Sequence, residues 1–189
     1  MKRKFTVFVL CFSLIASLCM INSSAKYFTD VSSTSEHLDA INYVSDNGYM
    51  GGTSSTEFSP TANMTRAMFA TVLYRYAGAP NVTGTEPFTD VATTAWYYDA
   101  VRWAYINGYM GGTSTTTFSP TNNITRQDAA VVFYRYAGVN NYSNPSLALT
   151  FNDYSSIADY AKTAAVWSVD NNVLSLTSRR FRPTSVLSR

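Results

Sequence analysis

A nineteen-residue stretch is written twice, sixty positions apart: GYMGGTSSTEFSPTANMTR at 48–66 and GYMGGTSTTTFSPTNNITR at 108–126. Only four positions differ: Ser55/Thr115, Glu57/Thr117, Ala62/Asn122 and Met64/Ile124. The match extends on both sides. Phe28-Thr29-Asp30-Val31 returns as Phe88-Thr89-Asp90-Val91, and Asp39-Ala40-Ile41 as Asp99-Ala100-Val101. Tyr43 is replaced by Trp103, and Tyr74-Arg75-Tyr76-Ala77-Gly78 returns as Tyr134-Arg135-Tyr136-Ala137-Gly138. A weaker third copy opens at Phe151-Asn152-Asp153-Tyr154 and runs through Ala164-Ala165-Val166-Trp167 to Phe181-Arg182-Pro183-Thr184. Three copies with a period near sixty imply one supersecondary unit used three times, each unable to bury its apolar face alone.

Each copy reads alike. The FTDV segment is an extended or turn opening. Thr94 or a neighbour can cap the next helix, where Tyr97, Ala100, Val101, Ala104 and Tyr105 make one apolar face. Leu38, Ile41 and Val44 do the same in the first copy. Asn47-Gly48 and Asn107-Gly108 stop these helices, glycine being the residue that takes the left-handed position cheaply. The Gly-Gly and Thr-rich stretches that come next end in Phe-Ser-Pro, where Pro60 and Pro120 hold the residue before them extended and block helix, so these are expected as ordered loops with room for a short strand. Thr125 caps a second helix, with Asp128 standing where a capping box has Glu or Gln. Phe69, Val72, Leu73 and Tyr76 form the buried stripe of the first copy's second helix, and Gly78 and Gly138 end the second helices. Pro80, Pro87 and Pro145 lie in the linkers.

The amino terminus has the layout of a secretory signal peptide: Lys2, Arg3 and Lys4, an apolar run at 5–21, then Ser23-Ser24-Ala25 with a cut after Ala25. A retained membrane anchor is the rival reading of that run. A lipoprotein site at Cys19 is disfavoured by Leu18, since that position needs a small residue. Both cysteines, Cys11 and Cys19, fall within the segment, so the remaining chain would hold together by its core alone. Without the segment, eleven Lys and Arg face twelve Asp and Glu, a net charge of −1. That removes the electrostatic support for a nucleic-acid partner. The surface left is polar but weakly charged.

Taken together, F-x-D-V, A-V-x-W-A, N-G-Y-M-G-G, F-S-P and T-R resemble the S-layer homology repeat over nearly the whole of 26–189. The resemblance implies a mainly α fold: three helix-loop-helix repeats in a pseudo-threefold bundle, with first helices as a spindle and the loops and second helices as prongs. It divides the chain into a signal peptide at 1–25 and repeats at 26–85, 86–148 and 149–189. It further implies non-catalytic, non-covalent anchoring at the cell wall. The partner would be secondary cell wall polymer, a peptidoglycan-linked glycan often capped by a pyruvylated amino sugar, held in grooves between repeats. No cofactor, no metal and, after signal cleavage, no membrane enters this picture. A structural surface-layer protein that associates with other surface-layer proteins is the alternative.

A pyruvate ketal offers a carboxylate, and this chain has groups to meet it. Arg66 and Arg126 stand at helix starts, where unpaired N–H groups and the dipole favour an anion, and a guanidinium grips a carboxylate with two hydrogen bonds. Tyr43, Trp103 and Trp167 offer flat faces suited to a sugar ring. Gly51, Gly52, Gly111 and Gly112 let backbone approach a ligand. Asp30, Asp90, Asp153 and Arg189 complete the candidate binding set. Structural readings stand beside these. The aspartates serve equally as turn or helix caps, Trp103 as core, the arginines as partners of local aspartates, and the glycines as turn residues. The resemblance also fails locally: the repeat often reads Thr-Arg-Ala-Glu, whereas the copies here read Thr65-Arg66-Ala67-Met68 and Thr125-Arg126-Gln127-Asp128.

Aligning Phe118-Ser119-Pro120 with Phe181-Arg182-Pro183 places Thr125-Arg126 on Ser188-Arg189. The third repeat therefore lacks its second helix, as expected of a fragment, an early-stopped product or a domain completed by a partner. The expectation is an incomplete third groove and a poorly ordered C-terminal segment, locally basic through Arg179, Arg180, Arg182 and Arg189. Catalysis has little support. His37 is unrepeated, there is no metal-ligand cluster and no serine-histidine pairing. An Asp90/Asp99 glycosidase pair is undercut by its recurrence as Asp30/Asp39.

Overall fold

The computed structural model describes residues 28–189. The signal-peptide assignment and its cleavage site lie outside the described residues. Among the described residues there are six α-helices: α1 (Leu38–Asp46), α2 (Arg66–Tyr76), α3 (Tyr98–Ile106), α4 (Arg126–Tyr136), α5 (Pro145–Ala148) and α6 (Lys162–Asp170). The described part is mainly helical, with isolated bridges where short strands were expected.

The second helices start and stop as the sequence indicates. Thr65 and Thr125 have extended backbone, and their side chains accept from the N–H of Met68 and Asp128. Gly48, Gly78, Gly108 and Gly138 follow the caps with φ of 70°, 84°, 72° and 65°, where a Cβ would be strained. The first helices begin differently. The residue before α3 is Tyr97, with no side-chain cap, so Thr94 does not play that part.

Packing runs between neighbouring units. Helix α2 lies on α3, and α4 on α6, so each second helix covers the first helix of the next unit. Ala70, Leu73, Ala100, Val101 and Ala104 share one core cluster. Ala130, Val131, Ala164, Ala165 and Val166 share another. A smaller cluster of Phe28, Val31, Ile41 and Phe58 lies beneath α1. The stripe expected on α2 is only partly buried: Phe69 and Leu73 are inside, Val72 is intermediate, and Tyr76 is 55% exposed.

The units close on one another through three short extended segments. Ile124 N–H donates to the Met64 carbonyl at 3.0 Å, Leu187 N–H to that of Ile124 at 3.1 Å, and Met64 N–H to that of Leu187 at 2.8 Å. This is a closed cycle of backbone bonds, with the fully buried Ile124 at its centre. Outside it, Arg66 N–H donates to the Asn122 carbonyl at 2.8 Å, Arg126 N–H to that of Ser185 at 2.9 Å, and Arg189 N–H to that of Ala62 at 3.0 Å.

The expectation of a poorly ordered C-terminal segment is thereby corrected. Residues 185–189 supply one third of the ring, because their carbonyls and amides have partners in both other units. Deleting 185–189 removes two bonds of the cycle and two of those outside it, each worth about 0.5–1.5 kcal/mol net. Urea unfolding should therefore show a loss of about 2–6 kcal/mol, where a loose tail would cost nothing.

Candidate functional site

Each arginine at the start of a second helix is tied to the loop of the next unit. Arg66 donates from Nε to the Phe118 carbonyl at 2.9 Å and from Nη2 to that of Gly111 at 2.7 Å. Arg126 does the same to Phe181 at 2.8 Å and Ser175 at 2.7 Å. Arg189 returns to the first unit, to Phe58 at 3.1 Å and Gly51 at 2.6 Å. All three guanidinium groups also lie over the ring of that same phenylalanine, at 4.7, 5.2 and 5.3 Å from its centroid. At its arginine the third junction has the same pair of side-chain bonds and the same ring contact as the other two.

The phenylalanines of the F-x-P motif are thus the inner faces of the arginine sites, a role the sequence reading missed. Their threefold recurrence before proline, each the same distance from a Thr-Arg or Ser-Arg pair, was the available signal. Burial pulls the pKa of Arg66, Arg126 and Arg189 below the ordinary arginine value.

The aspartates hold the same loops from the other side. Asp30 accepts from the N–H of Phe58 at 2.8 Å and of Ser59 at 2.6 Å. Asp90 accepts from Phe118 at 2.8 Å and Ser119 at 2.7 Å, and Asp153 from Phe181 and Arg182, both at 2.8 Å. Ser59, Ser119 and Arg182 have φ of 57°, 59° and 56°, so each carboxylate clamps a left-handed residue in place. These oxygens serve the loop; of the two roles read from the sequence, the structure supplies the capping one.

Three further expectations are corrected. Trp103 and Trp167 are only 5% and 8% exposed, each packed on a tyrosine of a second helix, tilted against Tyr74 and edge-on to Tyr134. They are core and present no open face to a sugar. Tyr43 is exposed, but it lines an apolar cavity beside α1 and not an arginine junction. The N–H groups that open α2 and α4 are not free for an anion. Arg66 and Ala67 donate to Asn122 and Pro120, Arg126 and Gln127 to Ser185 and Pro183, and the next N–H in each helix goes to its Thr cap. Neighbouring carbonyls occupy the place a ligand would take.

The glycines divide as well. A Cβ on Gly52 would lie 2.5 Å from the Glu57 carbonyl, and one on Gly112 2.5 Å from that of Thr117, so the loops themselves exclude a side chain there. Gly51 and Gly111 have open space, and their carbonyls receive Arg189 and Arg66.

The junctions differ in charge. Arg66 shares its neighbourhood with Asp90, Asp128 and Tyr160. The Tyr160 hydroxyl donates to Asp128 at 2.7 Å, and Thr125 donates to the same carboxylate at 2.6 Å. Burial of that hydroxyl end and the bond to Asp128 push the phenol up to about 12, although the Tyr160 residue as a whole is 63% exposed. Arg126 instead has Arg182 near it, which stands where the other loops have Ser59 and Ser119 and draws the Arg126 pKa down further, while Asp153 opposes it with a smaller effect. Among the described residues, neither Arg126 nor Arg182 has an ion-pair partner. Exposed Trp96, at 64%, is an aromatic face that the sequence reading did not select.

With this geometry in view, comparison with known proteins is direct. The signature of the S-layer homology domain matches residues 27–70 and 87–130. The chain belongs to the S-layer homology family, that of a cell-surface anchoring module. The third unit repeats their arginine and aspartate geometry. The chain is 30% identical over 176 residues to the Surface-layer 125 kDa protein of Lysinibacillus sphaericus, covering 91% of this chain and 14% of that protein. It is 35% identical over 145 residues to an endoglucanase of Bacillus sp. (strain KSM-635), covering 75% of this chain and 15% of the enzyme. Cell surface glycoprotein 1 of Acetivibrio thermocellus matches at 33% over 91 residues, 47% of this chain and 4% of that protein. The chain therefore spans about a seventh of the first two relatives. Among the described residues no helix is long and apolar enough to cross a membrane.

One prediction concerns the aspartate clamp. The N–H of Phe58, then that of Ser59, holds the Asp30 pKa below the usual carboxylate value against an opposing desolvation. A carboxylate lowered on folding stabilises above its unfolded pKa, near 4, and loses that contribution as pH falls through the folded pKa. In urea titrations Asp30→Asn should be less stable than the parent at pH 7, and the gap should narrow below about pH 4. A gap that persists at pH 2.5 would show that the charge is not what the clamp uses.

Proposed function

We infer that the chain is a non-catalytic anchoring module that binds an anionic polymer of the cell wall at the junctions between units. A pyruvylated glycan, with one carboxylate per terminal sugar, is the ligand class that fits best. The observation that carries this reading is the junction of the second and third units. Arg126 and Arg182 repel each other there, no carboxylate lies at ion-pair distance from either among the described residues, and Asp153 offsets the repulsion on Arg126 only in part. Two unpaired guanidinium groups disfavour one another until an anion lies between them. The first junction is weaker on this reading, because Asp90 and Asp128 already balance Arg66.

Sugar contact in the first junction falls to exposed Tyr160, next to Arg66 and Asp128. The carboxylates weighed for glycoside hydrolysis have other work. Both oxygens of Asp90 accept backbone N–H groups, and Asp99 pairs with Arg102 at 3.2 Å. The family and the surface-layer relative support anchoring, and the signal-like amino terminus supports secretion to the wall.

The test is co-sedimentation of 26–189 with wall sacculi before and after acid removal of the secondary polymer. Binding should require the polymer. Arg182→Ser should weaken it about 10-fold, the range of one charged hydrogen bond, and Arg66→Ala should weaken it less. Binding that survives removal of the polymer, or that is indifferent to Arg182, would contradict the reading.

A further inference from the structure

The spacing of the copies changes once. Phe28 and Phe88 are sixty residues apart, Phe88 and Phe151 sixty-three, and the three extra residues lie between Gly138 and Phe151. That linker carries the short helix α5, opened by Pro145 and capped by Asn144, which accepts from the N–H of Leu147 at 3.1 Å. The first helices differ here too. In the second unit Arg102 ties α3 to the linker before it: Nη2 donates to the Val82 carbonyl at 3.0 Å and lies 3.2 Å from Asp99. With Trp103 aligned on Trp167, Arg102 becomes Val166 and Asp99 becomes Thr163. That shorter, uncharged pair leaves a cavity of about 330 Å³ bordered by α5 and α6.

We propose that this cavity binds one uncharged pyranose ring of a glycan, at a site separate from the arginine junctions. Its volume is at the low end of the range of about 300–1,000 Å³ for small-molecule sites, which suits a single ring. Pro145, Ala148 and Val166 give it apolar lining for the C–H face of a sugar, and Tyr142 and Tyr154 add aromatic surface. Ser143 and Thr163, both exposed, bring hydroxyls to meet those of the ring. Among the described residues, no Asp, Glu, Lys, Arg or His lines the cavity. The charges at the two ends of α6 have partners of their own. Asp170 accepts from the Tyr142 hydroxyl and from Asn144 Nδ2, the latter at 3.3 Å, and Lys162 donates to Asp159 at 2.6 Å. An ionic ligand finds no counter-charge here, in contrast to the junction of Arg126 and Arg182. The bonds to Asp170 also fix Tyr142 and Asn144 before a ligand arrives, which keeps the ordering cost of binding low. Leu149, 87% exposed, borders the cavity and gives a bound ring further apolar contact.

The test is an NMR titration of the chain with glucose and with N-acetylglucosamine, following the backbone amides of Ser143, Leu149 and Thr163. At least one of the two sugars should shift them saturably, with a dissociation constant on the order of 1–10 mM, weak because a single small ring recovers little of the cost of association. Ala148→Leu adds bulk to the lining at a partly exposed position. It should leave the Tm within about 2 °C and weaken binding at least about fivefold. Thr163→Asp with Val166→Arg, which installs the pair of the second unit, should abolish binding. Arg182→Ser should leave it unchanged, so this site and the anionic junction stand or fall separately. The proposal is overturned if neither sugar shifts these amides up to about 50 mM, if glycerol shifts them equally, if pyruvate shifts them more, or if Ala148→Leu binds as the parent does.

Discussion

The structure depends on one cycle of backbone hydrogen bonds, from Ile124 to Met64, from Leu187 to Ile124 and from Met64 to Leu187. No two of these residues are near in sequence, so the cycle costs closure entropy that only a packed core offsets. Once closed, it sets the register of everything around it. It places each N1 arginine against the next unit's loop, where Nε and Nη2 find two carbonyls and the guanidinium finds a phenylalanine ring. It also turns α2 onto α3 and α4 onto α6. The units are thus held by directional bonds at the axis and by apolar burial further out. Aspartates inside each unit keep the receiving loop in the shape the arginine needs.

This arrangement explains what the sequence could and could not convey. Threonine caps and stopping glycines are local devices, and they stand where the residues say. The fold class followed from the period and from the family resemblance. The ring was not legible, because it is made by main-chain atoms of three segments, and the aligned residues Met64, Ile124 and Leu187 carry no side-chain signal that their amides and carbonyls pair with one another. The roles of Trp103 and Trp167 depend on which side of the first helix the preceding unit covers, and helical spacing alone does not say. The same limit applied to the helix N-termini. They look open in sequence, but Asn122, Pro120, Ser185 and Pro183 of the neighbouring unit already fill them.

The three junctions share a frame and differ in charge. At the first, Asp90, Asp128 and Tyr160 surround Arg66. At the second, a serine position has become Arg182, whose effect on Arg126 outweighs that of Asp153, and no carboxylate lies at ion-pair distance from either arginine among the described residues. The third closes through Arg189 onto Gly51 and Phe58. Frame and function are separable on this view. Aspartate, phenylalanine and arginine backbone clamps build each junction, and the remaining side chains decide what it attracts. A non-uniform module of this kind would bind a polyanion mainly at one junction.

Native-state hydrogen exchange at the amides of Met64, Ile124 and Leu187 tests the central claim most directly. If the cycle holds the molecule together, all three should exchange only through global opening, with the same free energy within about 0.5 kcal/mol and the same dependence on denaturant. If Leu187 exchanged at the rate of an open chain while Met64 and Ile124 stayed protected, the C-terminal segment would be a dangling end and the threefold closure would not exist.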